Sequence, residues 1–227
     1  IAIALAEAGA DIAVVSRSPN QEVEKAVLAL GRRYVHHGAD LTRRKETKAV
    51  IPAVMKKMGN VDILVNSSGI CPRSPAKDFP ESDWDATLEI DLSASFILAQ
   101  AAGRIMLDKG RGKIVNIASV LAFQGGINIA AYSASKHGVA GLTKALANEW
   151  AGKGVNVNAI APGYIATEFI GALMKDPVRS KALLARIPAG RWGDPDEIAA
   201  ATLYLVSSAS DYVHGTVLSV DGGWMAW

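Results

Sequence analysis

The stretch "YSASK" places Tyr132 and Lys136 four residues apart in a run with helical character. At that spacing the two side chains share one helix face, a turn apart. A lysine ammonium beside a phenol favours the phenolate and draws the tyrosine down from its ordinary value near ~10. A tyrosine so tuned exchanges a proton with an alcohol or a carbonyl near neutral pH. Ser119 stands 13 residues earlier, at the end of the apolar run "KIVNIAS". Its hydroxyl is placed to reach the same point. A serine donor and a tyrosine acid on one carbonyl oxygen make a carbonyl–alcohol redox site, given a hydride carrier on the opposite side. The Tyr–Lys spacing alone also fits an ordinary surface pair. It gains specificity from order: Ser119 at a strand end, the pair on the next helix, then Pro162-Gly163 after the next strand and Thr167 four residues on.

Other chemistries find less support. Cys71 is the only cysteine, so no intrachain disulfide can form, which agrees with a reducing, cytoplasmic setting. No histidine stands beside it in an activating motif. The four histidines (36, 37, 137 and 214) show no metal-ligand spacing, and no metal is expected. The formal charge is +2, and Arg43-Arg44-Lys45 is the only basic block, too little for a nucleic-acid groove. No apolar run reaches ~18 residues, so no membrane-spanning helix is expected.

The elements that must position these residues follow from periodicity. With 227 residues, half of them hydrophobic and a fifth charged, the chain suits one globular domain, residues 1–227. Residues 11–16 read as a strand, 20–30 as a helix closed by Gly31, and 32–40 as a short strand ending near Asp40. Residues 43–58 are helical and stop at Gly59. "VDILVN" (61–66) reads as a buried parallel strand. A long helix is predicted over 82–109, with Ser82 and Asp85 as a cap-like start and Gly110 as its end. A strand at 113–119, a long helix at 129–151 and a strand at 155–162 follow. A polar stretch covers 168–186. "GDPDE" (193–197) opens a further helix with Asp194 as cap and Pro195 at the first helical position. A last strand covers 216–220. This alternation predicts an α/β fold with right-handed crossovers and a parallel, doubly wound sheet. Ligands bind such sheets at the carboxyl ends of the strands, which picks out Ser16-Arg17, Asp40-Leu41, Asn66 to Gly69, Ser119 and Pro162-Gly163.

Together, "VDILVNSSG", "IVNIAS", "YSASK", "VNVNAIAPG" and "VDGG" resemble, in order, the motifs of the short-chain dehydrogenase/reductase family over essentially the whole chain. The resemblance implies a Rossmann-type sheet and an NAD or NADP cofactor. It implies that Tyr132 is the general acid/base, that Lys136 lowers its pKa and binds the nicotinamide ribose, and that Ser119 orients the substrate oxygen. It places Asp40 and Leu41 at the adenine. Asn66, Ser67, Ser68 and Gly69 border the cofactor, and Pro162, Gly163, Ile165 and Thr167 line the nicotinamide and pyrophosphate side. Thr167 also reads as a helix cap. It also implies a homotetramer packed through the two long helices, with the aromatic tail Trp224–Trp227 buried against a neighbouring subunit.

Two departures from the family pattern stand out. Ser67 and Ser68 replace an Asn and an Ala. Asp91 stands where the family usually has an Asn whose backbone carbonyl helps hold a water near the active-site lysine. A carboxylate there would favour a charged Lys136 and alter the pH profile.

Cofactor choice turns on the residues after the first strand of this chain. Ser16 and Arg17 offer a cation and no carboxylate, which favours NADP over NAD. Further stretches ("IASVLAFQGGI", "RIPAGRWGDP", "SSASDYVHG", "VDGGW") are similar to a sugar-acid branch that oxidises 2-dehydro-3-deoxy-D-gluconate or 2-deoxy-D-gluconate. Gluconate 5-dehydrogenases share "PAGRWGDP". That branch tends to use NAD, which pulls against Arg17. Arg73 is a candidate for the substrate carboxylate and Gln124 for a hydroxyl. Arg191 and Trp192 read as loop braces. A 3-oxoacyl-carrier-protein reductase is a rival within the family, lacking the basic patch an acidic carrier would need. An idle cofactor-binding regulator is a rival from another class, opposed by the intact Ser119–Tyr132–Lys136 set. Finally, "IAIALAEAGA" resembles the helix that follows a TGxxxGIG loop. The resemblance implies a preceding strand and glycine loop, roughly 20–30 residues, with that strand between 11–16 and 61–66.

Overall fold

Strand and helix alternate through the residues that the computed structural model describes, 1–226. Helix α1 (Ala2–Glu7) leads to β1 (Ile12–Ser16), α2 (Gln21–Ala29), β2 (Tyr34–Gly38), α3 (Arg44–Met58) and β3 (Ile63–Asn66). Helices α4 (Glu81–Leu88) and α5 (Ala94–Lys109) are joined by a π-helical turn at Glu89–Ser93. Then come β4 (Gly112–Ile117), α6 (Ala130–Trp150) and β5 (Val155–Pro162). Two short helices, α7 (Gly171–Lys175) and α8 (Pro177–Leu184), precede α9 (Pro195–Val206) and β6 (Val217–Val220). The polar stretch at 168–186 thus folds into helix rather than loop, with Asp176 capping α8 through the Val178 and Arg179 N–H groups.

All strand pairing is parallel, as helical crossovers require. β3, β4, β5 and β6 pair in that order, and β1 pairs with β2. β1 and β3 do not pair with each other. A cavity of about 540 Å³ lies between them, lined by Ile12 to Val15 on one wall and Ile63 to Asn66 on the other, with Ile1 and Leu5 of the α1 region beside them.

β5 is buried from Val155 to Ala161 without alternation, the pattern of a strand covered on both faces. The main core joins Val50, Ile51 and Val54 of α3 with Leu98, Ala102 and Met106 of α5, Trp150 of α6, and the strands beneath. Each large side chain buried there contributes roughly 1.5–3 kcal/mol. α5 and α6 approach closely because Gly103 faces the Trp150 ring. A Cβ at that position would lie 2.6 Å from the ring. Segment 81–109 is long and apolar enough, by composition, to cross a membrane, yet its apolar residues Ala94, Leu98, Ala99, Ala102 and Met106 are core.

Ser82 does not cap the long helix. The helix starts one residue earlier, at Glu81, after an extended Pro80 with no side-chain cap. Glu81 and Asp83 in its first turn complement the positive end of the helix instead. The capping box at Asp194 is present in full: its carboxylate accepts from Asp196 N–H, and Glu197 accepts from Asp194 N–H at 2.7 Å.

Candidate active site

The carboxyl ends of the strands bring the predicted residues to one side of the sheet. Asn66 and Asn116 are in register, and so are Ile117 and Ile160. Ser119 therefore emerges beside the end of β5. Its backbone is extended, and its Oγ accepts from Leu121 N–H at 3.2 Å, which holds the buried hydroxyl in place. Tyr132 lies in the first turn of α6, hydrogen-bonded to Ser119, with its ring 6.0 Å from Phe169. One turn on, the Lys136 ammonium donates to Ile117 O at 3.0 Å and sits 5.3 Å from the Tyr132 ring centre.

Asp91 projects from the π turn into the same centre. Its carboxylate accepts from Ile70 N–H at 2.9 Å, and Oδ2 lies 3.5 Å from Lys136 Nζ. The Ser135 hydroxyl is 3.2 Å from the same oxygen and 2.9 Å from Tyr132 O, so it shares one proton between them. Gly69 makes room for this: a Cβ there would come 3.3 Å from Asp91 Oδ1. Both members of the pair are buried.

The electrostatics differ from the sequence expectation. Burial pushes the Tyr132 phenol up, and the Asp91 charge pushes it further, against the Ser119 hydrogen bond and the more distant Arg73. Lys136 does not bring Tyr132 down because Asp91 balances its charge at 3.5 Å. Burial also pushes Lys136 down and Asp91 up, each opposed by the charge of the other.

The residues expected at the cofactor are divided. At the end of β1, the Ser16 hydroxyl donates to Ser18 O at 2.7 Å and lies 3.1 Å from His36 Nε2, with Arg17 exposed beside it. The Asp40 carboxylate is engaged by Thr42, through its N–H at 3.0 Å and its hydroxyl at 2.7 Å, and Arg17 and Arg43 help to hold it ionised. Leu41 packs on the core. Asn66 is buried and pins β3 to β4: its Nδ2 donates to Asn116 Oδ1 at 2.9 Å, while its own Oδ1 is buried without a partner. Ser67 and Ser68 are exposed.

Pro162 ends β5 opposite Val220, and Gly163 packs against Asp221, close enough that a Cβ on Gly163 would lie 2.7 Å from the Asp221 backbone. Ile165 is buried and bridges to Gly193. Thr167 stands at a short helical turn, but its hydroxyl donates back to Ile165 O rather than capping. Arg191 and Trp192 do brace a loop: Arg191 forms a two-pronged pair with Glu197 at 2.9 and 2.7 Å, and Trp192 meets Tyr164 edge-on.

On the substrate side, Arg73 is exposed after β3, and its charge acts on both Tyr132 and Tyr164. Gln124 is half-buried in the loop after Ser119. Three groups were not singled out by the sequence: Ser135, Tyr164 and Arg186. Ser135 was legible as the next residue on the Tyr132 face. Tyr164, Arg186 and Trp224 form a stack, with Arg186 3.9 Å from the Trp224 ring and Trp224 4.9 Å from Tyr164. Trp224 is thus buried within its own chain rather than against a neighbour, and Trp227 lies outside the described residues.

A family model described as enoyl-(acyl carrier protein) reductase matches residues 1–225. The chain is 49% identical, over all of its length and 89% of the relative, to the 2-dehydro-3-deoxy-D-gluconate 5-dehydrogenase of Bacillus subtilis. A solved structure from Agrobacterium tumefaciens, a proposed 2-deoxy-D-gluconate 3-dehydrogenase with bound NADP, is 47% identical with a TM-score of 0.91, covering 100% of this chain and 90% of that one. A gluconate 5-dehydrogenase from Burkholderia cenocepacia, in complex with NADP and tartrate, is 40% identical with a TM-score of 0.93, covering 100% and 89%. The ordered Ser119–Tyr132–Lys136 site, the parallel sheet that carries it and these full-length matches agree: the chain belongs to the short-chain dehydrogenase/reductase family of oxidoreductases.

Proposed function

We propose that this protein interconverts a secondary alcohol and a ketone on a sugar acid, of the 2-dehydro-3-deoxy-D-gluconate or 2-deoxy-D-gluconate type, with NADP as the redox partner. The observation that carries the reading is the hydrogen-bonded Ser119–Tyr132 pair with the Lys136 ammonium one turn away. The relative from Bacillus subtilis and the A. tumefaciens neighbour support the substrate class. When bound, a nicotinamide supplies or takes the hydride. In oxidation, Tyr132 takes the hydroxyl proton while the Ser119 hydroxyl fixes the substrate oxygen. In reduction, Tyr132 returns it. Lys136, anchored to Ile117 O, would hold the ribose.

The donor set at the end of β1 fits a cofactor with a 2′-phosphate. Arg17 presents an exposed guanidinium, and the nearby carboxylate, Asp40, is already occupied by Thr42. Asp40, Leu41, Ser16 and the 66–69 loop would border the adenosine half, and Pro162 to Thr167 the nicotinamide half. Arg17→Ala should reduce the NADP-over-NAD ratio of kcat/KM by about tenfold or more, the scale of a charge-assisted hydrogen bond. An unchanged ratio removes Arg17 from the account.

Arg73 is the cation assigned to the substrate carboxylate, with Gln124 for a hydroxyl. Arg179 and Arg186 reinforce the positive field around Tyr164. Arg73→Ala should raise KM for an acidic sugar by roughly 10- to 100-fold with kcat little changed, while a neutral polyol is unaffected. Equal effects on both substrates overturn the assignment. The function itself is tested by following NADPH absorbance with a panel of 2-dehydro-3-deoxy-D-gluconate, 2-deoxy-D-gluconate, D-gluconate and a 3-oxoacyl thioester. Turnover of the thioester in preference to every sugar acid rejects it. A homotetramer joined along α4–α5 and α6 fits the exposed Trp84 and Phe96, and light scattering checks it.

A further inference from the structure

The carboxylate of Asp91 is enclosed on every side by groups that the catalytic centre uses. Ile70 N–H and the Ser135 hydroxyl face it, Gly69 leaves it room, and the Lys136 ammonium stands 3.5 Å away. These donors favour the ionised form and act against the burial that pushes the carboxyl group up. The backbone carbonyl of Asp91 is meanwhile taken by the Ser95 hydroxyl at 3.0 Å. The side chain, 3.5 Å from Nζ, is what this residue brings to Lys136 directly.

We propose that Asp91 acts through its carboxylate as a positioning residue, holding the Lys136 ammonium beside Tyr132 and setting the pH range in which the site oxidises alcohol. The proposal rests on the acid/base reading of Tyr132. The charged and titratable groups around Asp91 are Lys136 and Tyr132 from α6, and Cys71 and Arg73 from the segment after β3. An Asp91–Lys136 pair adds no net charge beside the phenol. Replacing Asp91 by an amide removes the carboxylate charge that pushes the phenol up, so Tyr132 gives up its proton at lower pH. The same change removes the anion that keeps Lys136 protonated, so Lys136 discharges at lower pH as well. Both limbs move in one direction.

Asp91→Asn is nearly isosteric and keeps an acceptor for Ile70 N–H. The first readout is the phenolate absorbance titration of the protein without substrate, with the matching Tyr132→Phe trace subtracted to isolate Tyr132. The expected result is a Tyr132 midpoint about one unit or more below wild type. The second readout is the pH dependence of kcat/KM for oxidation, on the sugar acid that wild type turns over. Its whole bell should move to lower pH, with a gain of about tenfold on the acid limb. Asp91→Ser, shorter but still polar, should shift the same way. Superimposable profiles, an alkaline shift, or a loss equal at every pH overturn the proposal, the last because it marks a merely structural role. Failure of the underlying acid/base reading is separately visible: Tyr132→Phe would then keep its activity, whatever Asp91 does.

Discussion

Tyr132→Phe should lower kcat about 10³-fold, with KM for substrate nearly unchanged and little loss of stability. In the proposed reaction the phenol oxygen is the group on the Ser119–Tyr132 face that gives and takes the proton at the substrate oxygen. General acid–base catalysis contributes typically ~10²–10⁴-fold, and ~10³-fold corresponds to about 4 kcal/mol in the activation free energy. A loss in kcat without a change in KM marks an interaction made in the transition state. Stability should hold because the Phe ring keeps its contact with Phe169 and its place above Lys136. Only the hydrogen bond to Ser119 goes, worth roughly 0.5–1.5 kcal/mol. Single-turnover rates and thermal melts of the variant measure both. A kcat within tenfold of wild type would dismiss Tyr132 as the acid/base group.

The contrast between Tyr132 and Asp91 explains what could be seen in the sequence. Tyr132 and Lys136 are joined by one helical turn, so their spacing already states their geometry. Ser119 and Tyr132 meet because β4 ends where α6 begins, and both ends are marked by changes of period. The full burial of β5 was not legible, because Asn156 and Asn158 alternate with its apolar residues; both are buried all the same, donating to Asp211 O and Val213 O. Asp91 is harder. Its contact with Lys136 spans 45 positions and depends on the π turn at Glu89–Ser93, which inserts an extra residue into what reads as one continuous helix over 82–109. A π turn rotates everything after it and leaves no mark in hydrophobic periodicity. Resemblance to a family drew attention to the Asp, but only the fold turned it into a direct partner of the lysine.

The tail shows a second limit. An aromatic ending suggests an apolar surface that must be covered, and the sequence cannot say by what. Here Trp224 finds Tyr164 and Arg186 of its own chain. That contact needs β5 and β6 to be neighbours, a long-range pairing that local pattern does not encode. The same pairing closes Gly163 onto Asp221 and so shapes the floor of the proposed nicotinamide side.

Gly154→Ala should be the most damaging small substitution for stability, although it lies at the opposite end of the strands from Ser119 and Tyr132. Gly154 holds φ at +80°, where a side chain costs about 1–2 kcal/mol. A Cβ there would also collide with the carbonyl oxygen of Gly110 and lie 2.8 Å from its carbonyl carbon. Neither group can move freely. Gly110 ends α5 in its own left-handed turn, and Gly112 N–H bonds to Gly154 O at 3.2 Å. The two turns feed β4 and β5 into register side by side, Gly112 against Val155. Relief of the clash must therefore disturb the centre of the sheet. The sum is about 3–4 kcal/mol, or roughly a 10 °C fall in Tm for a chain of this size. Gly31→Ala provides the reference: φ there is +70°, but nothing lies within 4 Å of the added Cβ. It should cost only the backbone strain, a fall of roughly 2–8 °C and smaller than that of Gly154→Ala. Circular dichroism melts of the two variants separate strain from collision, and kcat of the folded Gly154→Ala protein should stay near wild type. Equal Tm losses would mean that Gly110 yields, and that the two helix exits are not locked together.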